Sequence, residues 1–190
     1  MLPRRTFRRL DRARLDARVL AVQRPRFERD LARLADSHRA YAAGGRVVAL
    51  ASACHALLGG LDQAFDLPTK RVFVRDSPRP HKRRGGKLVW ELHGQCDPAG
   101  PLEVYTRTAA RAQPVALKTL LDTLLHEWVH HFDFCSEGDS VHCAGFYERV
   151  GQLYVPARDW LDGPGADPGA GTPPAADDGW RPTPDTLPPW

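Results

Sequence analysis

The residues with the clearest chemical potential lie in the segment 126–130, which reads His-Glu-Trp-Val-His. Residues i and i+4 lie on one face of an α-helix, so the imidazoles of His126 and His130 can bind the same zinc ion. Glu127 follows the first histidine and can accept a proton from a water held by that metal. The motif therefore predicts a zinc-dependent hydrolase with two histidine ligands and a glutamate general base.

A strong helical pattern surrounds this motif. Apolar residues recur at the i, i+3, i+4 spacing of an amphipathic helix, and they are Leu117, Leu120, Leu121, Leu124, Leu125, Trp128 and Phe132. Pro114 suits the first turn of such a helix, and Gly138 suits its C-terminal stop. Because Trp128 and Phe132 continue the leucine rhythm, we expect them to pack in the core. A surface helix with incidental histidines is the alternative to this interpretation.

A catalytic zinc site needs a third protein ligand and an open position for water. The residues that follow the motif and could supply this ligand are His131, Asp133, Asp139, His142, Cys143 and Glu148. His131 is disfavoured, since adjacent helical residues point about 100° apart. The longer pattern HExxHxxGxxH fails, because Asp133 and Ser136 occupy the positions of its glycine and its third histidine.

Two of these candidates remain as third ligand. His142 is favoured, because it follows a turn at 136–140 and opens a further helix predicted from about His142 to Leu153, so it can fold back onto the metal. Glu148 is the alternative, as a glutamate placed further along that second helix.

The segments 119–131 and 141–150 together resemble the SprT-like (Spartan-related) zinc metalloproteases, of the bacterial type without a C-terminal zinc ribbon. In that family, the HExxH motif is followed by a short variable insert and then by a His-Gly-x-x-Phe segment that supplies the third ligand. His142 and Phe146 keep this spacing. The match is specific near the motif and weak elsewhere.

The sequence departs from the family pattern at two positions. Cys143 stands where the family has glycine, which makes it a minor rival ligand, and Gly145 stands where the family usually has glutamate. The resemblance implies a zincin-like α+β domain in which His126, His130 and His142 bind Zn²⁺.

The elements that must position the motif are predicted from the rest of the chain. Residues 4–41 predict helix, kinked or split at Pro25, and residues 47–65 predict a second helix. Short alternating patterns predict a three-stranded sheet from residues 70–75, 88–93 and 102–106. The predicted divisions are a basic helical arm at 1–45, a metalloprotease domain at 46–160 and a disordered Pro/Gly-rich tail at 161–190.

The basic charge is concentrated in two places. Residues 1–46 carry 13 arginines against five acidic residues, and a predicted loop at 79–87 is rich in arginine and lysine. Such clusters bind phosphate backbones by counterion release, so both segments predict contact with DNA. A solvated helix face and an exposed loop are the alternative interpretation.

The composition limits the class of protein. Hydrophobic residues make up 42% and charged residues 26% of the chain, which excludes fibrous and fully disordered classes. No stretch approaches the about 18 consecutive apolar residues of a membrane span, the N-terminus lacks the apolar region of a secretory signal, and the four cysteines show no CxxC spacing. We therefore expect a cytoplasmic protein without a membrane partner.

Further residues are candidates for orienting the ligand histidines or for stabilising an oxyanion. Asp122 and Asp133 flank the motif and could orient the ligand histidines, although we expect both to face solvent, as aspartates usually do. The candidates for stabilising an oxyanion are Tyr147, Arg149 and Tyr154.

The sequence predicts a metallopeptidase of the SprT-like type. Glu127 serves as general base for a metal-activated water, and the substrates are peptides or proteins, including DNA-associated ones. An extended substrate is expected to add as a strand at a sheet edge near Leu102–Thr106. The alternative is a DNA-associated module with a structural or degenerate metal site and no proteolytic activity, in which Cys143 or Asp139 supplies a fourth ligand.

Overall fold

The computed structural model describes residues 4–163, so the predicted tail lies outside the described residues except for its first three positions. Its elements are α1 (Arg4–Arg12), α2 (Ala17–Ala42), α3 (Val47–Ala64), β1 (Val72–Pro78), β2 (His81–Arg84), β3 (Lys87–Glu91), β4 (Gly94–Cys96), β5 (Leu102–Arg107), α4 (Leu117–Glu137) and α5 (Ala144–Asp162). The described chain is therefore α+β, as predicted.

The N-terminal helical segment divides at a different place from the predicted one. The break lies at residues 13–16, whereas α2 runs through Pro25 without ending. Asp16 caps α2, because its carboxylate accepts a hydrogen bond of 2.8 Å from the backbone N–H of Arg18. Since α2 buries Leu31 and Leu34 against the core, packing outweighs the one backbone hydrogen bond that the proline removes.

The main sheet has three strands in the order β1–β5–β4, with β5 parallel to β1 and antiparallel to β4. The sequence predicts three strands, whereas the described residues form five. Residues 88–91 belong to β3 of a separate two-stranded sheet, and the unpredicted β4 takes the place expected for 88–93 in the main sheet. Leu88 and Val89 lie on opposite faces of the strand and both are exposed, so the alternating pattern of this segment does not mark a core face. Because β5 lies in the centre, the predicted substrate edge at Leu102–Thr106 is wrong, and β4 forms an edge instead.

The basic segment 79–87 is mostly a β-hairpin and not a loop. Gly85 and Gly86 form its two-residue turn with positive φ angles of 57° and 77°, as tight hairpins require. Every residue from 81 to 89 is exposed. The cations of this hairpin therefore lie on a ribbon that projects into solvent.

The core lies between α3, α4, α5 and one face of the main sheet. Trp128 is fully buried, and its indole N–H donates a hydrogen bond of 2.8 Å to the buried carboxylate of Asp62. Trp128 and Phe132 also pack against Phe65, so Trp128 is confirmed as a core residue and Phe132 is half-buried against the core. By length and composition α3 is apolar enough to span a membrane, yet its buried residues face this core.

The strand β4 approaches α4 at Gly94. A Cβ atom at this position would lie 2.7 Å from Thr123 Cγ2, 2.8 Å from the carbonyl oxygen of Glu103 and 3.1 Å from Glu127 Cγ. Only glycine therefore lets the edge strand lie directly beside α4.

Gly94→Ala is expected to lower the free energy of unfolding by about 1–3 kcal/mol, the usual cost of overpacking. Gly59→Ala is the matched control, because a Cβ at that helical position meets no atom within 4 Å; it should be neutral or stabilising by up to about 1 kcal/mol. Urea unfolding followed by circular dichroism measures both. A Gly94→Ala midpoint equal to that of the wild type would contradict this account of the β4–α4 contact.

Candidate metal centre

The helix α4 carries the HExxH motif and ends where the chain must reverse. His126 and His130 lie one turn apart on this helix, with ring centroids 5.0 Å apart. Gly138 adopts the left-handed conformation at the C-cap, with φ of 76°, which confirms the predicted stop. The chain then returns along α4 and brings His142 back to the two histidines.

Two helix starts differ from the prediction. The helix α4 begins at Leu117, because Pro114 pairs with Arg107 as an isolated bridge and takes no part in the first turn. The helix α5 begins at Ala144, so His142 lies in the preceding loop and does not open the helix. Its position in a loop allows the imidazole to turn toward α4.

The Nε2 atoms of His126, His130 and His142 converge. The Nε2 atom of His142 lies 3.0 Å from that of His126 and 3.1 Å from that of His130. These separations are close to the about 3.3 Å expected between nitrogens around a tetrahedral zinc with Zn–N distances of about 2.0–2.1 Å. The three histidines could therefore bind one metal ion.

A single aromatic residue supports all three imidazoles. Phe146 is fully buried, and its ring centroid lies 4.9 Å from that of His126, 4.5 Å from that of His130 and 4.8 Å from that of His142. This contact gives the Phe of the predicted His-x-x-x-Phe spacing a physical purpose, since it holds the three rings from one side.

The protonation of the histidines suits metal binding. Burial lowers the pKa of His126 to about 3 and that of His130 to about 2, and the neighbouring imidazoles act in the same direction. Burial also lowers the pKa of His142. The rings are therefore neutral at pH 7, and the neutral form is the one that binds a metal ion.

The other candidate ligands lie elsewhere. Glu148 is exposed and pairs with Arg14. His131 lies on the opposite side of α4, with Nε2 3.0 Å from the carbonyl oxygen of Pro68. Within residues 4–163, neither Cys143 nor any carboxylate joins the three histidines as a further ligand.

Glu127 lies between α4 and the edge strand β4. Its side chain is buried, which raises its pKa to about 8, while a hydrogen bond with the backbone of Cys96 acts to lower it. A metal ion bound nearby would favour the ionised carboxylate, which is the form that can accept a proton. The carboxyl group thus lies beside an edge to which an extended chain could be added.

Two predicted roles for charged residues are wrong. Asp133, expected to face solvent, is fully buried and accepts a hydrogen bond of 2.8 Å from Arg149. Arg149, a candidate for stabilising an oxyanion, is also fully buried and engaged in this ion pair, so a substrate cannot reach it. Burial raises the pKa of Asp133 to about 6, although Arg149 acts to lower it.

Ser140 is a residue of the site that the sequence did not indicate. Its Oγ atom lies 2.7 Å from Nδ1 of His130 and donates a hydrogen bond of 3.1 Å to Asp133. A hydroxyl two residues before a ligand histidine is too common in loops to be singled out by pattern. Tyr147, another oxyanion candidate, has its ring 6.0 Å from that of His142 and lies beside the cluster.

Asp122 is partly buried one turn before His126. Burial raises the pKa of this carboxyl group to about 6, against the opposing effect of His93 and Lys118. Its electrostatic interaction with His93 indicates that the segment between β3 and β4 approaches α4.

Asp122→Asn is expected to stabilise the metal-free protein at pH 7 by about 3 kcal/mol, since each of the about two pKa units corresponds to about 1.4 kcal/mol. The folded state disfavours the ionised carboxylate, so wild-type stability falls as pH rises from about 4, the ordinary pKa of aspartate, to about 6. The gain should thus be absent near pH 4 and complete at pH 7. Urea unfolding in the presence of a metal chelator, at pH 4 and at pH 7, measures this difference in the free energy of unfolding.

Asp36 is exposed and provides the control for this substitution. Asp36→Asn should change the free energy of unfolding by no more than about 0.5 kcal/mol, as is usual for a surface substitution. A difference between Asp122→Asn and the wild type that stays constant from pH 4 to pH 7 would refute the assigned burial effect.

No family model, no curated protein and no solved structure matches this chain. Its chemistry must therefore be argued from the residues of the site.

Proposed function

We propose that this chain is a zinc-dependent metallopeptidase of the SprT-like type with a zincin-like domain. The observation that carries the proposal is the convergence of three neutral histidine nitrogens at 3.0 and 3.1 Å, with the buried carboxyl group of Glu127 next to the first histidine. A base in that position has no purpose in a purely structural metal site. The three-histidine set also leaves a coordination position for water.

His126, His130 and His142 would hold the zinc through Nε2. When bound, zinc supplies Lewis acidity toward a scissile carbonyl group and lowers the pKa of a water molecule. Glu127 accepts the proton of the attacking water and delivers it to the leaving amine. β4 is an edge strand of the main sheet, and an extended substrate would add along it beside this carboxyl group.

The basic surfaces support DNA-associated proteins as substrates. Arg5, Arg8 and Arg12 are exposed on α1, and the exposed hairpin of β2 and β3 carries further cations. Both surfaces can contact phosphates. A cytoplasmic location belongs to this proposal, because the cysteines of the described residues are free thiols.

The same surfaces favour one second candidate, a DNA-associated module with a structural or degenerate metal site. Structural zinc sites usually have four protein ligands, whereas the group found within residues 4–163 has three. The ligand count supports the peptidase, and the experiment below separates the two candidates.

The test uses the full chain loaded with one equivalent of Zn²⁺ and an unfolded protein such as casein, with and without duplex DNA. We expect cleavage that 1,10-phenanthroline stops and that added Zn²⁺ restores. Zinc and DNA binding without cleavage under any of these conditions would favour the second candidate. Absence of zinc binding would overturn both.

A further inference from the structure

A chain of hydrogen bonds leads away from the metal centre at His130. When Nε2 of this histidine faces the metal, Nδ1 carries the proton. The Oγ atom of Ser140 lies 2.7 Å from Nδ1 and itself donates to Asp133 Oδ2 at 3.1 Å, so it is free to accept the imidazole N–H. A hydroxyl group that accepts from the ring and donates to a carboxylate fixes both the tautomer and the orientation of the ring.

The carboxylate of Asp133 is held in turn by Arg149. Both side chains are fully buried, and Arg149 Nη2 donates to Asp133 Oδ2 at 2.8 Å. Buried charges are costly unless paired and hydrogen-bonded, so neither member can leave this arrangement without the other. The Arg149 side chain therefore determines where the carboxylate, and through it Ser140, can lie.

The N-terminal helix α1 holds the far end of this chain. Arg149 Nη1 donates to the carbonyl oxygens of Leu10 at 2.8 Å and Ala13 at 2.7 Å. Carbonyl groups at the C-terminal end of a helix lack partners within the helix. The guanidinium group supplies those partners, and the end of α1 thereby positions Arg149.

Close packing fixes α1 against α5. A Cβ atom at Gly145 would overlap the carbonyl oxygens of Asp11 and Leu10, the latter at 2.6 Å. Gln152 exchanges two hydrogen bonds with the backbone of Leu15, at 3.0 and 3.1 Å. Only glycine at position 145 allows this approach, which gives a physical reason for the departure from the glutamate that the family resemblance leads one to expect there.

We propose that Ser140, Asp133 and Arg149 are positioning residues for the metal ligand His130, and that α1 completes the metal centre by holding Arg149. This inference rests on the proposed metal site. In this proposal the basic N-terminal helix α1 supports the metal centre through Arg149, whether or not it also contacts nucleic acid.

The first test compares Zn²⁺ affinity, measured by competition with a chelating dye, in the full-length wild type and in Ser140→Ala. Loss of an outer hydrogen-bonding partner should weaken binding by about 10- to 100-fold. Ser140→Thr keeps the hydroxyl group and should restore the affinity. Ser136→Ala removes an exposed serine from the last turn of α4 and serves as matched control. Urea unfolding of the metal-free variants verifies that each is folded.

The outcomes separate this inference from the proposed function. Weak binding by Ser140→Ala, with a shifted Co²⁺ absorption spectrum and rescue by threonine, supports the positioning chain. Wild-type affinity and spectrum in Ser140→Ala overturn the positioning chain and leave the metal site intact. A wild type that takes up no metal overturns both.

The second test displaces α1 without changing any residue of the chain of hydrogen bonds. Gly145→Ala forces α1 away from α5, whereas Gly151→Ala on the same helix meets no atom within 4 Å and is the matched control. Faster hydrogen exchange at the amide of Leu15 reports the displacement. We expect about 10-fold weaker Zn²⁺ binding by Gly145→Ala and unchanged binding by Gly151→Ala. If α1 is displaced in Gly145→Ala while the Zn²⁺ affinity stays at the wild-type value, the proposed contribution of α1 to the metal centre is overturned.

Discussion

Glu127→Gln should lower kcat for peptide hydrolysis by about 10²–10⁴-fold, the range that a general base contributes, and leave the zinc content unchanged. Glutamine has the shape of glutamate but cannot accept the proton of the attacking water. The side chain follows His126 in the chain, is buried against β4 and is not part of the histidine cluster, so the proposed mechanism assigns it the role of base and not of ligand. Casein cleavage and zinc analysis of the same preparation measure the two quantities.

Glu148→Gln is the control for this prediction. Glu148 is exposed, pairs with Arg14 and lies outside the histidine cluster, so its amide variant should keep both activity and zinc. Wild-type turnover in Glu127→Gln would contradict the assigned base. Loss of zinc from Glu127→Gln would instead show that the carboxyl group takes part in metal binding.

His142→Ala should lose zinc during purification, because it leaves two histidines on one helix with no third ligand. Its Nε2 atom is the one that approaches both of the others, at 3.0 and 3.1 Å. The loss of affinity should exceed the about 100-fold that removal of an outer hydrogen-bonding partner can cost. Metal analysis by mass spectrometry, on protein purified without added metal, measures the stoichiometry.

Two matched variants make this result specific. His55 is an exposed histidine on α3, and His55→Ala should retain the full zinc content. Cys143→Ala removes the neighbouring rival ligand and should also retain it, since the thiol is not part of the cluster. Equal zinc in His142→Ala and the wild type would exclude His142 as a ligand.

The part of the site that could be predicted is local in sequence. The heptad-like rhythm of leucines places His126 and His130 on one helical face, and Gly138 marks the reversal that brings His142 back. These features depend on helix period and on a left-handed C-cap, which a few neighbouring residues determine. They are therefore visible without knowledge of the fold.

The part that could not be predicted depends on distant contacts. Arginine and aspartate are residue types that usually lie on the surface. The burial of Arg149 and Asp133 is favourable only because they pair with each other and α1 supplies further hydrogen-bond partners. The three-residue strand β4 is too short to show an alternating pattern. The exposed hairpin has a strand-like pattern but belongs to no core face, so its sequence alone could not exclude it from the main sheet.

The bonds between Arg149 and α1 join residues 139 and 136 positions apart. During synthesis, α1 leaves the ribosome before the other described elements, and its partner Arg149 emerges only with α5. The three histidines span a short segment and can meet as soon as α4 and the following loop are complete. Closing so long a loop is entropically costlier than closing a short one. Assembly therefore has an early local step, in which the three histidines meet, and a late step, in which α5 brings Arg149 to α1.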